Sequence, residues 1–287
     1  MNTDTIPAIQ EGLFGSTGQR VTRVGLGGEG VLRTRGRDEE AVEVIEQALA
    51  QGIGYFDCAP AYADSERYYG LVWRKHMHLR NKIFQASKSA ERTAARARKD
   101  LENTLRTMGT DHLDLWQIHD VRTEKDFRQI SGPGGALEAF VEARQSGKTR
   151  FIGVTGHHDP KILTRAVREW PVDSVLLPVN PVESVLGGFI DETVAAAKEK
   201  GMAVIGMKVL GASHYLAPER GMTPDLLIQF ALSQPVTLVI VGCSDPEEVR
   251  TLANAGRNAQ PVGQAVERHI REFYASHAQR LAYYRGQ

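Results

Sequence analysis

The 287-residue chain contains little cysteine and no long hydrophobic run. Its two cysteines, Cys58 and Cys243, are too few for the disulfide framework that holds small secreted domains together. No apolar run approaches the ~20 residues that a membrane-spanning helix needs. The first residues have neither the basic nor the apolar region of a secretory signal peptide. We therefore expect a cytoplasmic protein with no membrane partner.

The chain also lacks an excess of charge of either sign. Lysine and arginine total 35, and aspartate and glutamate total 35. No overall electrostatic field therefore favours a nucleic acid, and we expect the substrate to be recognised by local contacts. The neighbouring His157 and His158 are more typical of a polar loop than of a metal pair, because a zinc site needs about three protein ligands. We predict no metal site.

Short apolar runs alternate with amphipathic segments along nearly the whole chain, which is typical of repeated βα units. Helical spacing is clear, for example, at Ala41, Ile45 and Ala48. The predicted strands cover residues 23–26, 55–57, 83–87, 113–119, 151–155, 174–179, 203–208 and 237–241. Eight such units favour an α/β fold of the (β/α)8 TIM-barrel type over an open sheet. We expect one domain over residues 1–287.

Two additions to the barrel and several helix boundaries are also predicted. Residues 13–21 indicate a short N-terminal β-hairpin that could plug the bottom of the barrel, and residues 264–285 indicate an extra C-terminal helix. Aspartate side chains cap free helical amides, so three aspartates predict helix starts. Glycine is common just beyond a helix end, so three glycines mark helix stops. The predicted starts and stops are Asp38, Asp159, Asp245, Gly52, Gly147 and Gly201.

Four charged or proton-handling residues lie at or just after the ends of three successive predicted strands: Asp57, Tyr62, Lys88 and His119. The loops after barrel strands carry the active site in this fold, so we expect one catalytic site. A phenol with a pKa of about 10 donates a proton efficiently only when its anion is stabilised. Lys88 would stabilise it, and Asp57 would keep Lys88 charged. His119 would donate a hydrogen bond to a substrate oxygen that gains negative charge.

This set of side chains suits proton delivery to a carbonyl oxygen, but none of them supplies hydride, so reduction requires a nicotinamide cofactor. At these residues the chain resembles the aldo-keto reductase superfamily. The resemblance runs from about Gly25 to about Ala255 and includes residues 25–28, the Asp57 to Tyr62 spacing and residues 147–155. It implies a (β/α)8 barrel, bound NADPH or NADH, and reduction of aldehydes or ketones. It also implies that Tyr62 is the acid, tuned by Lys88 and Asp57.

The resemblance also implies a set of cofactor-binding positions, several of which depart from the common pattern. Thr155-Gly156 stands where many members have Ser-Asn, and Met207 stands where an aromatic residue stacks on nicotinamide. Glu248 aligns with an arginine that binds the 2′-phosphate of NADPH, so the choice between NADPH and NADH stays open. The implied cofactor-binding residues are Gly27, Gly28, Asp57, Thr155, Gly156, Met207, Lys208, Leu210, Gly211, Gly242, Ser244 and Glu248.

One motif is misleading and two other function classes remain. Residues 25–30 match G-x-G-x-x-G, but the next helix begins only near Asp38, so we interpret them as a strand end and not a dinucleotide fingerprint.

Lys88 and Lys208 at strand ends are also compatible with a Schiff-base aldolase or lyase. A nicotinamide-binding regulatory module with little turnover is the other alternative. The partner in the main hypothesis is a small carbonyl compound, and the oligomeric state stays open.

Overall fold

A closed barrel of eight parallel strands forms the centre of the computed structural model, which describes residues 7–286. Each barrel strand pairs with the next along the chain, and the last strand returns to the first. A separate antiparallel pair, β1 and β2, precedes them. The strands are β1 (Glu11–Leu13), β2 (Arg20–Thr22), β3 (Val24–Gly30), β4 (Tyr55–Asp57), β5 (Phe84–Ser89), β6 (Leu113–Ile118), β7 (Thr149–Thr155), β8 (Ser174–Pro178), β9 (Ala203–Met207) and β10 (Leu238–Cys243). The predicted barrel is confirmed.

Helices surround the barrel and bury their apolar faces against its outer surface. They are α1 (Asp38–Ala50), α2 (Ser65–Lys75), α3 (Met77–Arg80), α4 (Ala94–Met108), α5 (Glu124–Ser131), α6 (Ala136–Gln145), α7 (Pro160–Glu169), α8 (Pro181–Leu186), α9 (Val194–Glu199), α10 (Pro224–Ser233), α11 (Pro246–Arg257), α12 (Gln264–Ala275) and α13 (Ala278–Leu281). The extra C-terminal helix is α12. Its predicted extension to residue 285 is wrong, because Tyr284 and Arg285 leave the helical path to bind the buried Glu183.

The predicted helix boundaries hold at most positions. The Asp159 side chain accepts a hydrogen bond from an amide at the start of α7, and Asp245 accepts two at the start of α11. The prediction for Asp38 is wrong by one position, because α1 begins at Asp38 itself. The Asp38 carboxylate instead pairs with Arg67 at 2.5 Å, so it is not free to cap the helix. The three predicted stop glycines all adopt positive φ, as glycine permits at helix ends: Gly52, Gly147 and Gly201.

Phe14 closes the amino end of the barrel. It lies in the turn between β1 and β2, is fully buried, and contacts the rings of Phe84 at 4.9 Å and Phe151 at 5.7 Å between centroids. Aromatic pairs at such separations pack favourably. The predicted hairpin plug is therefore confirmed, and the carboxyl end of the barrel is the end left for chemistry.

Within residues 7–286, no helix combines the length and the apolar character needed to cross a membrane. The same part of the chain contains no group of three or more histidine, cysteine, aspartate or glutamate side chains arranged to hold a metal ion.

Candidate active site

The structure brings the four predicted catalytic side chains together at the carboxyl end of the barrel. The Lys88 ammonium donates hydrogen bonds to Oδ2 of Asp57 at 2.5 Å and to the Cys58 carbonyl at 3.0 Å. The Lys88 and Asp57 side chains are 0% and 1% exposed, so water does not screen this ion pair. The Tyr62 hydroxyl lies 3.4 Å from Nε2 of His119. One connected polar cluster therefore lies at this end of the barrel.

Strand alternation places these side chains inside the barrel. Successive side chains of a strand point to opposite faces. Tyr55 on β4 and Phe84 on β5 belong to the apolar cluster in the barrel interior, so Asp57 and Lys88, two and four residues further on, point the same way. Lys88 also pairs in register with Gln117 of β6. The apolar residues at the bottom of the barrel thus fix which side chains reach the top.

Close packing holds the Tyr62 ring in place. A Cβ atom at position 28 would lie 2.4 Å from Cδ2 of Tyr62, so only glycine fits there. The Lys88 Nζ lies 4.6 Å from the centroid of the ring, within cation–π range. The exposed Arg33 lies 5.2 Å from the same centroid. The predicted cofactor residue Gly28 therefore has a visible structural role, which is to make room for Tyr62.

Electrostatics set the protonation state of each group. Burial alone would lower the pKa of Lys88, but the adjacent Asp57 carboxylate outweighs burial and holds that pKa above its usual range. Burial raises the pKa of Tyr62, and the Lys88 ammonium acts in the opposite direction. Burial, and to a smaller extent the positive charge of Lys88, lowers the pKa of His119 to about 3. At neutral pH the site therefore holds an ammonium, a neutral phenol and a neutral imidazole.

Two further residues support this cluster and were missed by the sequence analysis. Nε2 of the buried Gln117 lies 3.5 Å from Oδ1 of Asp57. The Arg92 guanidinium donates to the carbonyls of His119 at 2.8 Å and Asp120 at 2.7 Å, and so fixes the backbone that carries the imidazole. Strand alternation could have identified Gln117. A side chain that binds backbone carbonyls far along the chain, as Arg92 does, leaves no pattern in the sequence.

The predicted cofactor residues at the ends of β7 and β9, two strands separated only by β8, lie at the same mouth of the barrel. The Thr155 hydroxyl accepts a hydrogen bond from the Asp120 amide at 2.8 Å and keeps its own proton to donate. A Cβ atom at Gly156 would lie 3.1 Å from a backbone carbonyl oxygen, so the chain passes closely there. Met207 is half-buried above the interior apolar cluster. Lys208 follows it with a left-handed φ of 55°.

The remaining glycines of the predicted cofactor set allow close backbone packing. A Cβ atom at Gly242 would lie 2.5 Å from Cβ of Glu29, and one at Gly27 would lie 3.0 Å from the Val241 carbonyl carbon. These two glycines therefore let β3 and β10 approach each other. Gly211, after Leu210, has a φ of 56° and begins a left-handed run of three residues that ends at Ser213.

Glu248 and Ser244 are joined by a hydrogen bond at the start of α11. The exposed Glu248 carboxylate accepts a hydrogen bond from the Ser244 amide at 2.6 Å. The Asp245 side chain accepts from the amides of Glu247 at 2.8 Å and Glu248 at 3.0 Å. Two carboxylates therefore occupy the amino end of this helix, which would otherwise favour an anion.

A model of the aldo/keto reductase family matches residues 23–220, which span more than half of the chain. The chain belongs to the aldo/keto reductase family. Its residues from Gly25 to Gly30 lie within strand β3, and α1 begins only at Asp38, so the G-x-G-x-x-G match is a barrel strand end in this family member, as predicted.

Curated relatives and solved structures agree with this assignment. The chain is 24% identical over 311 residues to YqkF of Bacillus subtilis, an uncharacterized oxidoreductase, and the match covers 92% of this chain and 98% of that protein. It is 32% identical over 183 residues to the aldo-keto reductase YhdN of the same organism, covering 58% of this chain and 53% of the relative. An aldo-keto reductase structure from Bacillus halodurans, in holo form, superposes with a TM-score of 0.74 at 19% identity, covering 92% of this chain and 96% of the other, and shows the same fold.

Proposed function

We propose that this oxidoreductase reduces small aldehydes or ketones to alcohols, reversibly, with NADPH or NADH. The observation that carries the proposal is the fully buried Lys88–Asp57 ion pair at 2.5 Å, directly beneath the ring of Tyr62. A buried ion pair has a large desolvation cost and is weak evidence for stability. Its position against a phenol that contacts His119 gives it a chemical role instead.

In the proposed reaction each side chain acts on the carbonyl oxygen or on its proton. The Tyr62 hydroxyl donates its proton to the oxygen as that oxygen gains negative charge. The Lys88 ammonium stabilises the phenolate that forms, and Asp57 keeps the ammonium charged and in place. The neutral His119 imidazole carries one N–H, which orients the carbonyl oxygen by a hydrogen bond. The nicotinamide cofactor, when bound, supplies the hydride.

The residues at the ends of β7 to β10 fit such a cofactor. The Thr155 hydroxyl retains a proton for the carboxamide, and Met207 offers a polarizable apolar surface for the nicotinamide ring. The left-handed turn from Gly211 to Ser213 follows β9 at the same mouth, and backbone amides in turns form anion-binding concavities. The Gly211 amide already donates to the Lys208 carbonyl at 3.2 Å, so we propose that the following amides of the turn face the anion. We propose that the remaining predicted cofactor residues line this path.

The geometry disfavours Lys88 as a Schiff-base nucleophile. An amine attacks a carbonyl only when it is unprotonated. Asp57 holds the pKa of Lys88 above its usual range, so its free amine is scarce. Burial lowers the pKa of Lys208, which leaves that lysine as the site at which an aldolase or lyase activity is tested.

One assay separates these functions. Loss of reduced-nicotinamide absorbance is followed with NADPH and NADH in parallel over aliphatic, aromatic and sugar aldehydes. We expect turnover with at least one class. Borohydride trapping on the same substrates should give no covalent adduct. Adduct formation at Lys208 would support the aldolase or lyase, and tight cofactor binding without turnover would support the regulatory module.

The choice between NADPH and NADH is tested by Glu248→Arg. The substitution removes a carboxylate that repels a 2′-phosphate, frees the Ser244 amide and adds a cation. Because the side chain is exposed and screened over a Debye length of ~8 Å, we expect the Kd of NADPH to fall only on the order of threefold, with NADH unchanged. Isothermal titration calorimetry measures both constants.

A matched control is Glu247→Arg, which changes charge equally one residue away, where the native side chain pairs with Arg250 at 2.6 Å. We expect this control to shift the Kd of NADPH less than Glu248→Arg does. Equal gains for NADPH and NADH in Glu248→Arg would show that Glu248 lies away from the 2′-phosphate.

A further inference from the structure

The last described residues of the chain, 282–286, form a segment that we call the C-terminal clamp. The Tyr284 hydroxyl donates a hydrogen bond to Glu183 Oε1 at 2.8 Å and accepts one from Asn180 Nδ2 at 3.0 Å. Arg285 pairs with the same Glu183 carboxylate and donates to the Gly187 carbonyl at 2.5 Å. The clamp is therefore attached to α8 and to the residue that precedes it.

Burial shows that this attachment is firm. Glu183 and Asn180 are fully buried, and Tyr284 is 6% exposed. A buried carboxylate is tolerated only when it is paired and hydrogen-bonded, and here Arg285 and Tyr284 supply both. Release of the clamp would leave Glu183 uncompensated. The clamp is thus a fixed part of the barrel mouth.

The same network holds Lys208 from two sides. Asn180 Nδ2 donates to the Lys208 carbonyl at 3.2 Å in addition to its bond with Tyr284. The Lys208 Nζ lies 5.3 Å from the centroid of the Tyr284 ring, within cation–π range. A left-handed backbone is unfavourable for a residue other than glycine, and these contacts support the φ of 55° at Lys208.

Lys208 has the character of an anion-binding group. Its side chain is half-buried, and among residues 7–286 no carboxylate lies within salt-bridge distance of its ammonium. Glu29 and Asp120 act on it only from farther away. It stands at the end of β9, three residues before the left-handed turn that begins at Gly211. A half-buried ammonium without a paired carboxylate is available to a phosphate group of a ligand.

The clamp also reaches the catalytic side of the mouth. The His157 ring meets the Tyr284 ring edge-on at 6.0 Å between centroids, and its Nδ1 lies 3.3 Å from the Tyr284 carbonyl oxygen. Its Nε2 lies 3.2 Å from Oδ1 of Asp120, the residue after His119. The clamp therefore joins the end of β9 to the loop that carries the proposed carbonyl-orienting imidazole.

From these contacts we infer that Tyr284 is a positioning residue for cofactor binding: its ring holds the Lys208 ammonium where it binds the pyrophosphate that NADPH and NADH share. The inference rests on the proposed function, since it requires a dinucleotide at this mouth. Tyr284 acts through Lys208 and need not touch the ligand. The clamp then makes the last residues of the chain part of the determinants of cofactor affinity.

The test is a double-mutant cycle on the full chain, with the Kd of NADPH and of NADH measured by isothermal titration calorimetry. We expect Lys208→Met and Tyr284→Leu each to weaken binding of both forms about tenfold, because each removes the positioned ammonium. In the Lys208→Met background, Tyr284→Leu should then cause little further loss. Equal losses in both backgrounds would overturn the inference.

Two more variants separate positioning from general destabilisation. Tyr284→Phe loses the bonds to Glu183 and Asn180 but keeps the ring, so it should keep the Kd within about twofold of wild type while unfolding at lower urea concentration. Leu13→Ala changes a side chain that is 57% exposed at the opposite, amino end of the barrel, and it should leave the Kd unchanged. Equal weakening by Tyr284→Phe and Tyr284→Leu would overturn the role of the ring.

The cycle also separates this inference from the proposed function. Wild-type protein that binds neither dinucleotide would overturn both. Wild-type protein that binds a dinucleotide, together with a Tyr284→Leu variant of unchanged affinity, would overturn the clamp alone and leave carbonyl reduction standing.

Discussion

Tyr62→Phe is expected to lower kcat for carbonyl reduction by at least ~100-fold, the contribution typical of general acid catalysis. The substitution keeps the ring against Gly28 and in contact with Lys88, and it removes only the hydroxyl whose proton the substrate oxygen receives. His119 cannot replace it, because burial lowers the pKa of that imidazole to about 3 and leaves it neutral. Steady-state kinetics give kcat, and calorimetry should show a nearly unchanged Kd for the cofactor.

Tyr69→Phe is a suitable control for this substitution. Tyr69 is fully buried on α2, and its hydroxyl has no hydrogen-bond partner in the described part of the chain. Its removal should change neither kcat nor stability appreciably. If Tyr62→Phe retained most of the wild-type activity, the assignment of Tyr62 as the acid would be wrong.

Lys88→Met is expected to be about as severe, with a loss of kcat on the order of 100-fold and a changed pH profile. The acid works only while Tyr62 is protonated, so activity falls as pH rises through the pKa of Tyr62. The Lys88 ammonium lowers that pKa against the larger effect of burial. Without Lys88 the pKa is higher, and the residual activity should therefore persist to higher pH than in wild type.

The double variant Lys88→Met with Asp57→Asn controls for stability. Lys88→Met alone leaves the buried Asp57 carboxylate unpaired, which typically costs about 3–5 kcal/mol of unfolding free energy. Replacing both charges should recover much of that loss in urea unfolding while activity stays low. A pH profile in Lys88→Met that matched the wild-type profile would make Lys88 a structural residue.

The sequence was sufficient to predict the barrel because its pattern is local and repeated. Each buried parallel strand is a short apolar run, and each connecting helix has its own periodicity, so the number and order of elements follow from the chain alone. The same regularity predicted that Asp57, Lys88 and His119 would meet, since all strand ends of such a barrel open at one face. The predicted strand bounds differ from the observed ones by at most four residues, the largest difference being at Gly30.

Predictions that depended on competing side-chain contacts were less complete. Asp38 has the residue type of a helix cap, but Arg67 binds it instead. The sequence aligned Glu248 with an arginine that binds the cofactor phosphate in the family, whereas the structure adds the hydrogen bond that Glu248 accepts from the Ser244 amide. In each case the partner is decided by which polar groups the fold brings within reach, and the local pattern does not contain that information.

The sequence by itself determined the fold class, the plugged amino end and the four side chains at the opposite end of the barrel. Only the tertiary structure decided how those side chains are supported. Arg92 donates to the carbonyl of His119, which lies 27 positions further along the chain. The Tyr284 ring contacts Lys208, which lies 76 positions before it. Apolar periodicity is a property of neighbouring residues and survives in the sequence, whereas a hydrogen bond or a cation–π contact needs an exact distance that exists only after the barrel has closed.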